Sequence, residues 1–209
     1  LFNTVWKNNF IYILKSNYRF DLYELYYCND CINEYSFSKK HFTDWLEFYS
    51  NNLKIINLSF EHFYGQGDNE TKFTTYIINK LLNNKKNSSI KLTQGNQRRG
   101  FLYIDDVVDL FIIILNKLDY FENKFYNFKV GSKQHISIKK FAILTKELCK
   151  NDKTKLLFGA LPYRKNEIMK PSKNDISELN KLGWDPKYTI YDGLKKTIEI
   201  EKKIKKWQN

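Results

Sequence analysis

The stretch NEYSFSKKHF, residues 33–42, carries a tyrosine and a lysine four residues apart, Tyr35 and Lys39. On a helix that spacing stacks the two side chains on one face. A phenol has a free pKa of about 10. A neighbouring ammonium favours the phenolate and draws that value down. Such a pair is suited to moving a proton. The spacing alone does not decide the matter: the chain has 15 Tyr and 35 Lys plus Arg, and the same two residues also fit a half-buried tyrosine beside a solvated lysine.

Other reactive residue types are sparse. Cys28 and Cys31 form a C-x-x-C, but only Cys149 and the histidines His41, His62 and His135 remain to complete a zinc site. None has the spacing of a second ligand pair, so no metal is expected. Three cysteines make no disulfide framework and fit a reducing, cytoplasmic setting. The net charge is +12, yet only four residues are arginine: Arg19, Arg98, Arg99 and Arg164. Scattered lysine with Asn and Ile reads as a coding bias rather than a nucleic-acid face, which favours arginine. The chain has no apolar run of membrane-spanning length. Its opening, LFNTVWKNN, does not read as a secretory leader.

The elements that must hold these residues alternate. Phe42, Trp45, Leu46 and Tyr49 recur at helical spacing over 36–50, which places Tyr35 and Lys39 at the start of an amphipathic helix. LKIINLSF (53–60) is short, apolar and β-branched, as a strand buried in a parallel sheet is. A second helix follows around Phe73, Tyr76, Ile77 and Leu81, then a short strand in IKLTQG. FLYIDDVVDLFIIIL begins as a strand and turns helical at Asp105 and Asp106, two carboxylates that suit a helix N-terminus. The run from Val107 to Leu115 is apolar almost all round and predicts a deeply buried helix. KFYNFKVG alternates as a strand. Ser137 predicts an N-cap for a helix through Phe141 and Leu148. KTKLLFG reads as a strand, DISELNKLGW as a short helix stopped by Gly183, and residues 189–207 as a last helix burying Ile190, Leu194, Ile198 and Ile204. Residues 5–31 show no clean period. Strands alternating with helices make an α/β protein.

Five motifs then fall in order: YSFSK with Tyr35 and Lys39, HFYGQGD, GNQRRGFLYIDDVVD, PYRKNE, and LGWDPKYTIYDGLKKTIE. From about Asn33 onward the chain resembles the extended short-chain dehydrogenase/reductases, the NAD-dependent epimerase/dehydratases that modify nucleotide sugars. The wording of LTQGNQ and KFTTYIINKLL is similar to enzymes of CDP- and dTDP-deoxysugar pathways for surface polysaccharides. The resemblance implies the C-terminal part of a Rossmann-like parallel sheet plus a smaller α/β substrate-binding region. It implies NAD or NADP as cofactor, with Tyr35 as general base and Lys39 also bonding the cofactor ribose. Thr4 is the candidate for the hydroxyl residue that completes such sites. Arg99 and Arg164 match arginines that grip the substrate diphosphate, a task suited to a forked guanidinium. His62 stands where relatives place an Asn beside the sugar, and fits a substrate contact or a core histidine equally. Asp106 reads as a structural cap.

Departures from the family pattern set further expectations. The family holds its dinucleotide at a Gly-x-x-Gly-x-x-Gly turn, yet all eight glycines lie at Gly65 or later. Gly100 follows Arg99 where Asp is usual, and Ser59 follows Leu58 where Arg is usual. The expectation is a member truncated at its N-terminus: residues 1–32 an irregular remnant, and 33–209 a partial Rossmann-like domain with its substrate region. Such a half-sheet would expose an edge and an apolar face, and would pair as a homodimer or with the missing segment. The function expected is a nucleotide-sugar epimerase, dehydratase or reductase acting on a nucleotide-diphosphate sugar. The alternative is a non-catalytic remnant that binds at most a sugar nucleotide or a partner chain.

Overall fold

The computed structural model describes residues 2–6, 9–13, 34–51, 53–83, 88–165, 167–170 and 175–208. Cys28 and Cys31 lie outside them. The strands, in chain order, are β1 (Phe2–Trp6), β2 (Asn9–Ile13), β3 (Ile55–Phe60), β4 (His62–Tyr64), β5 (Ser89–Leu92), β6 (Arg98–Tyr103), β7 (Phe125–Val130), β8 (His135–Ser137) and β9 (Lys155–Phe158). The helices are α1 (Glu34–Phe48), α2 (Phe73–Leu82), α3 (Ile104–Asn116), α4 (Ile138–Leu148), α5 (Ser177–Lys181) and α6 (Ile190–Gln208). The chain divides into two compact units. One comprises Leu1–His62, Val107–Lys133 and Ser172–Pro186, the other Phe63–Asp106, Gln134–Pro171 and Lys187–Asn209.

The first unit is built on β3 and β7, which pair in parallel from Ile55 opposite Phe125 to Phe60 opposite Val130. The apolar strand expected at 53–60 is therefore present, and Ile55, Ile56, Leu58 and Phe60 are all buried. Asn57 is buried too, and its amide donates across the pair to Asn127 Oδ1 at 2.9 Å. That bond supplies the partner a buried amide requires. β1 and β2 form an antiparallel hairpin, in a stretch where the sequence shows no period. α1 lays Leu46 and Phe42 on Ile55, Leu53 and Phe125. Its buried stripe is narrower than the spacing predicts: Trp45 is 60% exposed, and Tyr49 lies beyond the last helical residue.

α3 departs further from expectation. Val107, Leu110 and Ile114 are buried, but Val108, Ile112 and Leu115, on the opposite side, are about half exposed. A helix seated on a single layer buries only one stripe, and an all-apolar run does not state how many layers cover it.

The second unit joins β4, β6 and β8 in one sheet, with β6 and β8 antiparallel, and pairs β5 with β9 in parallel. α2, α4 and α6 supply Ile77, Ile78, Leu81, Phe141, Leu194 and Ile198 to a core that also holds Tyr64 and Phe101. The rings of Phe101 and Phe141 stack with centroids 4.2 Å apart. Ser137 caps α4 as the sequence predicts, its Oγ accepting from Lys140 N at 3.2 Å. α6 packs its buried stripe through Ile190, Leu194 and Ile198, but Ile204 is exposed near its end. The approach of α6 depends on Gly193, since a Cβ there would collide with the Tyr64 hydroxyl and lie 3.0 Å from the Tyr103 ring.

Candidate functional site

In the second unit three hydrogen-bonded ties reach from the entrance to β6 and from β6 itself to Tyr163, Glu167 and Met169. Asn96 N donates to the Tyr163 hydroxyl at 3.1 Å, and Arg98 N to Met169 O at 2.9 Å. Between them Arg99 Nη2 meets Glu167 Oε1 at 2.6 Å, with both side chains less than a tenth exposed. Arg99 Nη1 also donates to Arg98 O at 2.6 Å. Glu167 N in turn donates to Arg164 O at 3.1 Å, closing a turn across 164–167. The Arg164 side chain is exposed. Through Glu167 the Arg99 side chain is thus tied to the backbone of the turn that begins at Arg164. Glu167 is the residue that reading the sequence missed. It stands in PYRKNE, but nothing local marks it as the partner of a residue 68 positions earlier.

A sharp turn precedes β6 and lets the chain pass close to α4. Gly95 has φ +73°, and a Cβ there would lie 2.8 Å from Lys139 N. Positive φ and that clearance suit only glycine.

The other predicted residues belong to the first unit. Tyr35 and Lys39 both lie in α1, one turn apart, as the spacing requires. Tyr35 falls in the first turn of α1. α1 leads through a short turn into β3. Thr4 lies in β1, opposite Ile11 of β2. His62 opens β4 and is half-buried.

Two further tyrosines are poor candidates for a base. Burial holds the Tyr64 phenol far above its ordinary range, reinforced by Tyr103, Asp106 and Asp192; its hydroxyl reaches Ile190 O at 3.3 Å. Tyr103 is raised by burial and then by Asp105. Lys196 bonds Asp105 at 2.7 Å and the Tyr188 hydroxyl at 3.0 Å, and those bonds keep its ammonium charged. Asp106 is 1% exposed. Its carboxylate accepts from the backbone N–H of Lys187 at 2.8 Å and of Tyr188 at 3.2 Å. It is a structural tie from the first turn of α3 to the segment that leads into α6.

A model of the NAD dependent epimerase/dehydratase family matches residues 25–129, half of the chain. The chain belongs to that family. Among its relatives are two CDP-abequose synthases. That of Salmonella typhimurium is 33% identical over 168 residues, 79% of this chain and 55% of the relative. That of Salmonella muenchen is 34% identical over 186 residues, 87% of this chain and 60% of the relative. The chain thus spans a little over half the length of these relatives. Among solved structures, UDP-glucose 4-epimerase from Thermotoga maritima with UDP-glucose superposes with a TM-score of 0.70 at 24% identity, over 83% of this chain and 54% of that one. GDP-mannoheptose C4 reductase from Campylobacter jejuni with NADP gives 0.64 at 22% identity, over 80% and 57%. These structural likenesses establish the α/β, Rossmann-like fold.

The family is NAD-dependent, and a dinucleotide needs a glycine-bearing strand-to-helix turn whose amides face the pyrophosphate. The turn at Gly65 and Gly67 does not supply one. A Cβ on Gly65 would collide with Ile104, and Gly67 N already donates to the Glu201 carboxylate at 3.3 Å. A pyrophosphate would meet that carboxylate as a like charge. That turn therefore does not fit the phosphate end of the cofactor. No described helix is long and apolar enough to cross a membrane.

Proposed function

We propose that this chain carries the proton-transfer helix and the diphosphate-binding segment of an NAD(P)-dependent nucleotide-sugar epimerase, dehydratase or reductase in a deoxysugar pathway. The observation that carries the reading is the placement of Tyr35 and Lys39 one turn apart on α1, in a chain of this family whose relatives include CDP-abequose synthases. In this reading Tyr35 exchanges a proton with a sugar hydroxyl or carbonyl oxygen, and Lys39 biases the phenol toward its anion. Thr4 is proposed as the neighbouring hydroxyl. Arg99 and Arg164 take the diphosphate of the sugar nucleotide, and His62 contacts the sugar. Residues 1–32 and 33–209 are proposed as the preceding segment and the catalytic and substrate-binding domain.

A second reading rests on the glycines: with none before Gly65, the 209-residue chain binds a sugar nucleotide but no dinucleotide. Two calorimetric titrations separate the readings. The expected result is binding of CDP-glucose, weakened at least tenfold in Arg164→Ala, with no heat from NADH or NADPH. Tight NADPH binding by this chain would sink the second reading. Absence of CDP-glucose and UDP-glucose binding would sink the diphosphate assignment.

A further inference from the structure

We infer that Glu167 is a positioning residue: it seats the Arg99 guanidinium and the Arg164 turn as one unit, so that a diphosphate is gripped at two points. The inference rests on the reading of Arg99 and Arg164 as diphosphate ligands.

Glu167 uses both of its polar ends. Its carboxylate takes Arg99 Nη2 at 2.6 Å, and its backbone N–H takes Arg164 O at 3.1 Å. The flanking ties, Asn96 to Tyr163 and Arg98 to Met169, hold Tyr163 and Met169 on either side of it. Glu167 is the link that joins the Arg99 guanidinium to the backbone at Arg164. Arg99 and Glu167 are each more than nine-tenths buried, and a buried charge that loses its partner is strongly disfavoured. The pair is therefore held in one geometry. Arg164 is exposed and stands three residues away across the turn. Through Glu167 the buried guanidinium is held to the turn that carries the exposed one, which limits how far apart the two cations can stand. That arrangement selects a ligand with two phosphoryl groups over a ligand with one. Without the Glu167 link each arginine still attracts phosphate, but the spacing between them is no longer set, and the advantage of the second phosphoryl group is lost.

The test is the affinity ratio of UDP to UMP in the full 209-residue chain, compared with Glu167→Gln and Glu167→Asp. Gln keeps an acceptor for Arg99 and removes the charge. The expected result is a UDP preference over UMP that falls at least fivefold in E167Q and is largely recovered in E167D. Limited trypsin digestion after Arg164, without nucleotide, should be at least fivefold faster in E167Q. A lower melting temperature with an unchanged UDP to UMP ratio would show Glu167 to be merely structural and overturn the inference. Binding of neither nucleotide by the wild-type chain would overturn the diphosphate reading itself. In that case unchanged tryptic cleavage would also refute the link, and faster cleavage would uphold the link alone.

Discussion

Replacing Asp106 tests whether the start of α3 is tied to the segment before α6. The carboxylate is 1% exposed and takes two backbone donors, Lys187 N at 2.8 Å and Tyr188 N at 3.2 Å. Removing the acceptor leaves both donors without it, at about 1–3 kcal/mol for each buried donor left unsatisfied. Lys187 is an exposed residue, so water can compensate part of its loss. The expected cost of Asp106→Ala is therefore about 2–4 kcal/mol, a large share of a typical domain stability of about 5–15 kcal/mol. Asp106→Asn retains one carbonyl acceptor and should cost about half as much. Urea unfolding followed by far-UV circular dichroism and by tryptophan fluorescence reads both values. A cost below about 1 kcal/mol for Asp106→Ala, or an Asn variant as damaged as the Ala variant, would refute the tie.

Two further outcomes follow from packing and burial. Gly193→Ala should destabilise the chain in thermal unfolding, although Ala in a helix interior is ordinarily favoured over Gly by about 1 kcal/mol, because the new methyl collides with the Tyr64 hydroxyl; a stabilised variant would show that α6 can shift away. Burial pushes the Cys149 thiol up from 9.0 to about 11, against the opposing pull of Lys202 and Lys205. The thiolate is the reactive form, so at pH 9 its population should be roughly fiftyfold below that of an unperturbed cysteine, and iodoacetamide labelling, read peptide by peptide, correspondingly slow until the chain is unfolded. Because the folded pKa is raised, the stabilisation from this group is complete below about pH 9 and fades as the pH climbs toward about 11.

The sequence by itself determined much of the local structure. The buried strand at 53–60, the strand-to-helix change expected at Asp105 and Asp106 and found at Ile104, the Ser137 cap and the stop at Gly183 each rest on side-chain preferences that act within a few residues. The helical placement of Tyr35 and Lys39 was legible for the same reason, since a spacing of four has meaning on any helix. The ordered motifs also pointed to the family before any fold was known. Tertiary structure alone decided the rest. Periodicity shows that an apolar face exists, not what will lie against it, so Trp45, Ile112 and Ile204 were assigned to buried faces and proved exposed. The short strands β4 and β8 carry too few residues to show a period and exist through their pairing with β6. Asp106 looked like a local cap, yet its partners lie 81 and 82 residues away. Glu167 is the sharpest case: a charged residue in a polar loop has no local reason to be buried, and only chain folding brings Arg99 to meet it and makes that burial tolerable.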